Sequence, residues 1–128
     1  MKKKVSIVFC AVALLLIGVI IVMLFANKTP KIKNFDIVDY SYYISEFSSN
    51  EVLGKIDNAE IAKEKAESIW RGIYGESIKN EKPYQVFFDA TNEVWLVSGT
   101  MPRNQKGGVA NILIQKSDGK VLAVWHDK

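Results

Sequence analysis

The sequence predicts an α+β chain, with an N-terminal transmembrane helix followed by one helix packed on a four-stranded antiparallel sheet. Three observations carry that expectation. Residues 5–26 contain no charge. Ala62, Ala66, Ile69, Trp70 and Ile73 recur at helical spacing, the stripe of an amphipathic helix. Beyond Pro83, aromatic and β-branched runs are separated by turn residues, as in paired strands.

Residues 1–4 form a short tail with three lysines. A helix over the 22 residues from 5 to 26, rising 1.5 Å per residue, spans a hydrocarbon core of about 30 Å. A cleaved signal peptide fits less well, because its apolar region is about 7–15 residues long. Leu24 also stands three residues before the best cut, where a small residue is expected. The expectation is an uncleaved signal anchor that meets the lipid bilayer through residues 5–26. Lys2, Lys3 and Lys4 are nearly balanced by Lys28, Lys31 and Lys33 on the other side. The first short tail usually dominates, so the N-terminus is expected in the cytoplasm and the C-terminal domain outside it. Cys10 inside the span reads as a small packing residue.

A chain of 128 residues leaves room for one domain. With 48% apolar and 24% charged residues it is not wholly disordered. Lys2, Lys3 and Lys4 account for the whole net charge of +3, and residues from Asn27 onward balance at zero. No nucleic-acid partner is expected, since counterion release needs clustered cations on the folded part. A single cysteine permits no intramolecular disulfide and no Cys-based zinc site. A single histidine, His126, excludes the usual multi-His metal sites. No metal and no cofactor are expected.

Residues 27–55 read as a linker and an ambiguous segment, followed by a binding domain over 56–128. Within that segment, 28–33 with Pro30 looks like a juxtamembrane linker. Val38, Tyr40, Tyr42 and Ile44 alternate as in a strand, while Ile37, Tyr40, Ile44 and Phe47 recur as on a helix. Periodicity does not decide between them. Ser48, Ser49 and Asn50 are suited to capping a short helix toward Leu53. The clearest helix covers 58–74. Asp57 with Glu60 resembles a capping box at its start, and Gly75 is a C-cap.

Strands are expected over 84–90, 93–101, 109–116 and 120–126. Thr91-Asn92 and Asp118-Gly119 form the hairpin tips, and a polar loop over 102–108 joins the hairpins. Placing Thr91-Asn92 at the first tip pairs Phe88 with Trp95, Val86 with Val97, Phe87 with Leu96 and Gln85 with Ser98. Placing Asp118-Gly119 at the second pairs Ile114 with Ala123, Ile112 with Trp125, Leu113 with Val124 and Asn111 with His126. One face of each hairpin is then strongly apolar and lies under the helix. The other is mixed, and residues 34–55 must shield it, or it curls into a groove or binds a partner. Trp95 and Trp125 both fall on the apolar face, and a register slip of one residue moves them to the other.

Little in the chain suggests catalysis. His126 has no Cys partner in the soluble part, no G-x-S-x-G is present, and Gly107-Gly108 lacks the setting of a phosphate loop. The chain is expected not to be an enzyme. Binding is the better reading, with Trp95, Arg103, Lys106, Gly107 and Gly108 as the partner-contact candidates. Polar loops on rigid sheets often carry function, and Arg103 and Lys106 suit an acidic partner.

Several ordered pieces carry a resemblance. They are Ala62 to Trp70 with "IYGE" at 73–76, "EKPY" at 81–84, "VWLVSGTMP" at 94–102, "GGVA" at 107–110 and "DGKV" at 118–121. Residues 58–128 resemble the immunity proteins of bacterial polymorphic toxin systems, which have a nuclear transport factor 2-like (cystatin-like) fold. That resemblance implies a protein that neutralises a cognate toxin by direct contact, with no reaction of its own. The expected span at 5–26, a departure from the often soluble immunity domains, would make it membrane-anchored. The helix, the two hairpins and the "DGKVL" ending are also similar to PepSY domains. That alternative implies regulation of an extracytoplasmic peptidase. The "VWLVSGTMP" to "GGVA" run favours the immunity family.

Overall fold

The computed structural model describes residues 32–103 and 105–127. The tail at 1–4, the expected span at 5–26 and Cys10 lie outside the described residues. Among the described residues, no helix is long and apolar enough to cross a membrane. Residues Ile32–Lys128 form one compact unit.

One sheet has five strands in sequence order. They are β1 (Lys33–Asn34), β2 (Gln85–Asp89), β3 (Val94–Ser98), β4 (Ala110–Gln115) and β5 (Val121–His126). β2 to β5 are antiparallel neighbours. β1 runs parallel to β2, setting Lys33 against Phe87 and Asn34 against Phe88. The expected four-stranded sheet is therefore corrected to five, and Lys33 is a strand residue. Two exposed residues carry no alternation, so periodicity does not reveal such a strand.

Among the described residues, two α-helices accompany the sheet, α1 (Ser41–Glu46) and α2 (Ala59–Tyr74). A 3₁₀ turn over Ile37–Tyr40 leads into α1, and Asp36 caps it by accepting from the Val38 N–H at 3.0 Å. The ambiguous segment is thus helical where both periods fitted. α2 begins at Asn58, whose side chain accepts from the Ile61 N–H at 2.9 Å. The expected cap at Asp57 is corrected, since that carboxylate pairs with Lys55 at 3.3 Å instead. Gly75 ends α2 as expected, with φ of 82°. No helix forms over 48–53. The N–H groups of Leu53, Gly54 and Ile56 donate to the carbonyls of Gly119, Asp118 and Lys116, each at 2.9 Å. Donors spent on that turn hold the segment extended.

The β2–β3 register is the expected one, from Gln85 with Ser98 to Asp89 with Val94. The β4–β5 register is not. The turn carries four residues, with Gln115 and Lys120 facing across it, which moves the pairing by two and preserves the faces. Gly119 sits in this turn at φ 72°, and a Cβ there would run into the Gly54 backbone. A bulge then places Leu122 between the pairs Ile114–Val121 and Leu113–Ala123. That single extra residue exchanges the faces of everything beyond it. Asn111 pairs with Trp125, and Ala110 with His126. Trp95 remains under the helix, while Trp125 is carried to the opposite face.

Each face has its own core. Under α2, Ala62, Ala66 and Trp70 meet Trp95, Val97, Ala110, Ile112, Ile114 and Val121. On the other face, Val94, Leu96, Leu113 and Ala123 are covered by half-buried residues, including Tyr40, Tyr43, Ile44 and Phe47. The mixed face is therefore shielded by residues from the 34–55 segment.

Candidate functional site

The loop between β3 and β4 is held by a second 3₁₀ turn, Glu76–Glu81. The Glu81 carboxylate accepts from the Ala110 N–H at 2.8 Å, and its backbone carbonyl accepts from Thr100 N–H at 2.7 Å. The Thr100 hydroxyl donates to the Pro83 carbonyl at 2.6 Å. At the far end, the Asp127 N–H donates to the Val109 carbonyl at 3.0 Å. Gly107 has φ of 124°, and a Cβ on Gly108 would run into the Asp127 backbone. The glycine pair therefore lets the loop close against the end of β5.

A groove of about 300 Å³ lies beneath the loop, lined by Ser77, Glu81, Met101, Lys106, Gly108 and His126, among others. The His126 Nδ1 lies 2.8 Å from the Asp127 carbonyl, and Nε2 lies 3.8 Å from the Glu81 carboxylate. The Tyr74 ring packs edge-on to the imidazole, with centroids 5.5 Å apart. Burial, then the Glu81 charge, pushes the Tyr74 hydroxyl pKa up. Glu81 is engaged at its backbone and its carboxylate, so these polar groups act as a clasp for the loop.

The other region is the covered face. Tyr43 stacks on Trp125 with centroids 4.2 Å apart and planes 10° apart. Tyr40 lies 5.7 Å from Trp125, and Tyr42 meets Tyr43 edge-on at 5.5 Å. A chain of hydrogen bonds orients Trp125. Ser98 donates to the Asn111 side-chain oxygen at 2.7 Å, Asn111 Nδ2 donates to Asp127 at 3.2 Å, and Trp125 Nε1 donates to Asp127 at 3.2 Å. Asp89 fixes the cover from the other end, accepting from the Ile37 N–H at 3.0 Å and from the Asn92 backbone and side chain. The Asn92 side chain, then the Ile37 N–H, holds the Asp89 carboxyl below its ordinary pKa. Burial, then the charges of Asp39 and Asp127, pushes the Tyr40 hydroxyl up.

A family model described as "NTF2 fold immunity protein" matches residues 61–128. The chain belongs to the NTF2 fold immunity protein family. The helix and sheet fit that family's fold, and the matched span takes in most of α2 and all of β2 to β5. The chain is also 39% identical over 75 residues to the uncharacterized protein YhhH of Escherichia coli (strain K12), an alignment covering 57% of this chain and 58% of that protein. The chain thus spans less than two thirds of that relative's length. No solved structure matches the chain.

Set against this immunity fold, the contact candidates divide. Trp95 is corrected to a core residue. It is 4% exposed, its indole N–H donates to the Ile56 carbonyl at 3.0 Å, and it packs against Phe88 at 4.4 Å. Arg103 and Lys106 are exposed on the loop. Gly107 and Gly108 shape the loop and offer no side chain. The structure brings Lys106, Gly107 and Gly108 together with Glu81 and His126. The aromatic face with Trp125 was missing from the sequence-derived site. Its one sequence signal is the tyrosine cluster at 40, 42 and 43. Among the described residues, every buried side-chain nitrogen or oxygen has a hydrogen-bond partner, so these buried polar groups are committed to the fold.

Proposed function

We propose that this chain is a membrane-anchored immunity protein that neutralises a cognate bacterial toxin by direct protein binding. The family match over 61–128 is the observation that carries the reading. The protein performs no chemistry of its own. It acts by occupying the toxin. The uncharged run at 5–26 supports an anchor, with the tail at 1–4 in the cytoplasm and the domain outside it. The toxin then acts at or beyond the membrane. Arg103 and Lys106, exposed on the clasped loop, are rim charges that tune association more than affinity.

The test is binding of the full-length chain in detergent to the product of each neighbouring gene, with survival on co-expression as the second readout. One product, lethal alone, should bind tightly and be tolerated in the presence of this chain. If no neighbouring product is bound or tolerated, the immunity reading fails. Binding of an extracytoplasmic peptidase without rescue would put the PepSY-like reading in its place. A reporter fused after Lys128 should be active only outside the cytoplasm, and activity only in the cytoplasm would overturn the topology.

A further inference from the structure

We infer that the toxin is held chiefly on the aromatic, acidic face formed by Val38, Asp39, Tyr42, Tyr43, Trp125 and Asp127, and that it presents a basic segment there. The inference rests on the immunity reading and adds the surface and the chemistry of the partner.

Exposure comes first. Val38 and Tyr42 are each 68% exposed, the highest values among the exposed large apolar side chains of the described residues. They sit four residues apart at the junction of the first 3₁₀ turn and α1. Exposed apolar side chains that gather in one place mark contact surfaces, whereas scattered ones are ordinary.

Rigidity comes second. Tyr43 is stacked on Trp125, Tyr42 is braced edge-on by Tyr43, and the Trp125 indole is tied to Asp127. Aromatic rings already held in place lose little freedom on binding, and Tyr and Trp dominate interface energetics for that reason.

Charge decides the partner. Residues 34–50 contain Asp36, Asp39 and Glu46 and no Lys or Arg. Among the described residues, none of these three, nor Asp127, forms an ion pair. By contrast, Glu60, Glu67 and Glu76 on and just past α2 each pair with a Lys or Arg. Among the described residues, Lys33 lies on β1 against Phe87, and Lys120 lines a cleft with Ile44 and Phe47 at the end of α1. Unmatched carboxylates around aromatic rings suit Arg and Lys, which pair with the carboxylates and lie over the ring faces. A phosphate-rich surface, nucleic acid or anionic lipid, would be repelled.

The experiment uses the full-length chain in detergent and, as probe, the neighbouring-gene product that is lethal when expressed alone. Tyr42→Ala and Asp39→Lys are compared with Arg103→Glu and Lys106→Glu, and thermal melts check each fold. Tyr42 and Asp39 are exposed, so their variants keep the core intact. Tyr42→Ala should weaken binding about 30-fold and Asp39→Lys about tenfold, and wild-type binding should fall as salt rises. The loop variants should change affinity less. A photo-crosslinking amino acid at position 42 should capture the toxin, and one at position 105 should not. Toxin binding within about twofold of wild type for both face variants, or capture only from position 105, would overturn the inference and leave the immunity reading standing. Failure of the wild-type chain to bind any neighbouring product is a separate result, which removes the immunity reading and this inference with it.

Discussion

The two faces of the sheet are covered in different ways. Under α2 the cover is a sixteen-residue helix whose Ala62, Ala66 and Trp70 are fully buried, against Val97, Ile112 and Ile114 that are buried too. On the other face the cover is a short 3₁₀ turn and a six-residue helix with no buried residue of their own. Its Ile37, Tyr40, Tyr43 and Ile44 are half-buried and set on a buried layer of Val94, Leu96, Leu113 and Ala123. Removal of apolar area from water drives burial, so the first face supplies most of the stability. The second leaves its largest rings partly in solvent, which costs the fold little and leaves area for a partner to bury. On the proposed function, staying folded and gripping a toxin are tasks separated by face.

The largest expected effect tests that division directly. Trp70→Ala removes a fully buried ring that packs edge-on to Tyr84 at 5.2 Å and whose N–H points to the Asn111 carbonyl at 3.4 Å. It should cost about 3–5 kcal/mol, the range for truncating a large aromatic core residue. Tyr43→Ala on the other face removes one stacked partner of a half-buried Trp125 and should cost about 1–2 kcal/mol. Chemical denaturation of the two variants measures both. Equal losses would mean that the second face carries as much of the fold as the first.

A middle-sized effect lies at alkaline pH and also belongs to the α2 face. Tyr84 is 7% exposed, and its hydroxyl donates to the Ile78 carbonyl at 3.3 Å. Burial, then the neighbouring Glu67 carboxylate, pushes its pKa up to about 12 from the usual 10.0. The folded state therefore keeps the proton longer than the unfolded state. The stabilisation is fully present below pH 10 and is lost as pH rises toward 12. One pKa unit corresponds to about 1.4 kcal/mol, so the loss should be about 2–3 kcal/mol. Tyr84→Phe should flatten that stretch of the stability curve, measured by denaturant midpoints at stepped pH. An unchanged slope would show that this phenol does not drive it. On the other face Tyr40 is raised in the same direction, so Tyr40→Phe serves as the comparison.

The same division explains what could be read from the chain. α2 was legible because its apolar stripe has a single period and its end has Gly75. The β2–β3 register was legible because the pairs run without interruption from a tight turn. The β4–β5 register was not, because Val121 to Trp125 are all apolar and alternation gives no hint of a bulge. One unseen residue, Leu122, sent Trp125 to the face where it meets Tyr43. Tyr40 to Ile44 satisfies strand and helix periods at once, and only contact with β5 decides between them. The place of Trp95 on the face under the helix was legible from the β2–β3 register, and its burial there takes it out of the contact candidates. Arg103 and Lys106 were legible as exposed because a polar run has no other place to go.

The smallest effect asks where the well-covered face begins. Asn58 accepts from the Ile61 N–H, while Asp57 is exposed and reaches only Lys55. Losing an N-cap side chain costs about 1 kcal/mol, so Asn58→Ala should lower stability by about that much. An exposed ion pair is worth about 0–1 kcal/mol, so Asp57→Ala should change it by less than half as much. Reversed magnitudes would restore the capping box that Asp57 and Glu60 suggest in the sequence and would start α2 one residue earlier. Either way the change acts through the helix that buries Trp70. Binding through Tyr42 and Trp125 should then stay as it was, provided the chain remains folded. A cap variant that loses toxin binding while folded would show that the two faces are coupled, and the separation of tasks would have to be given up.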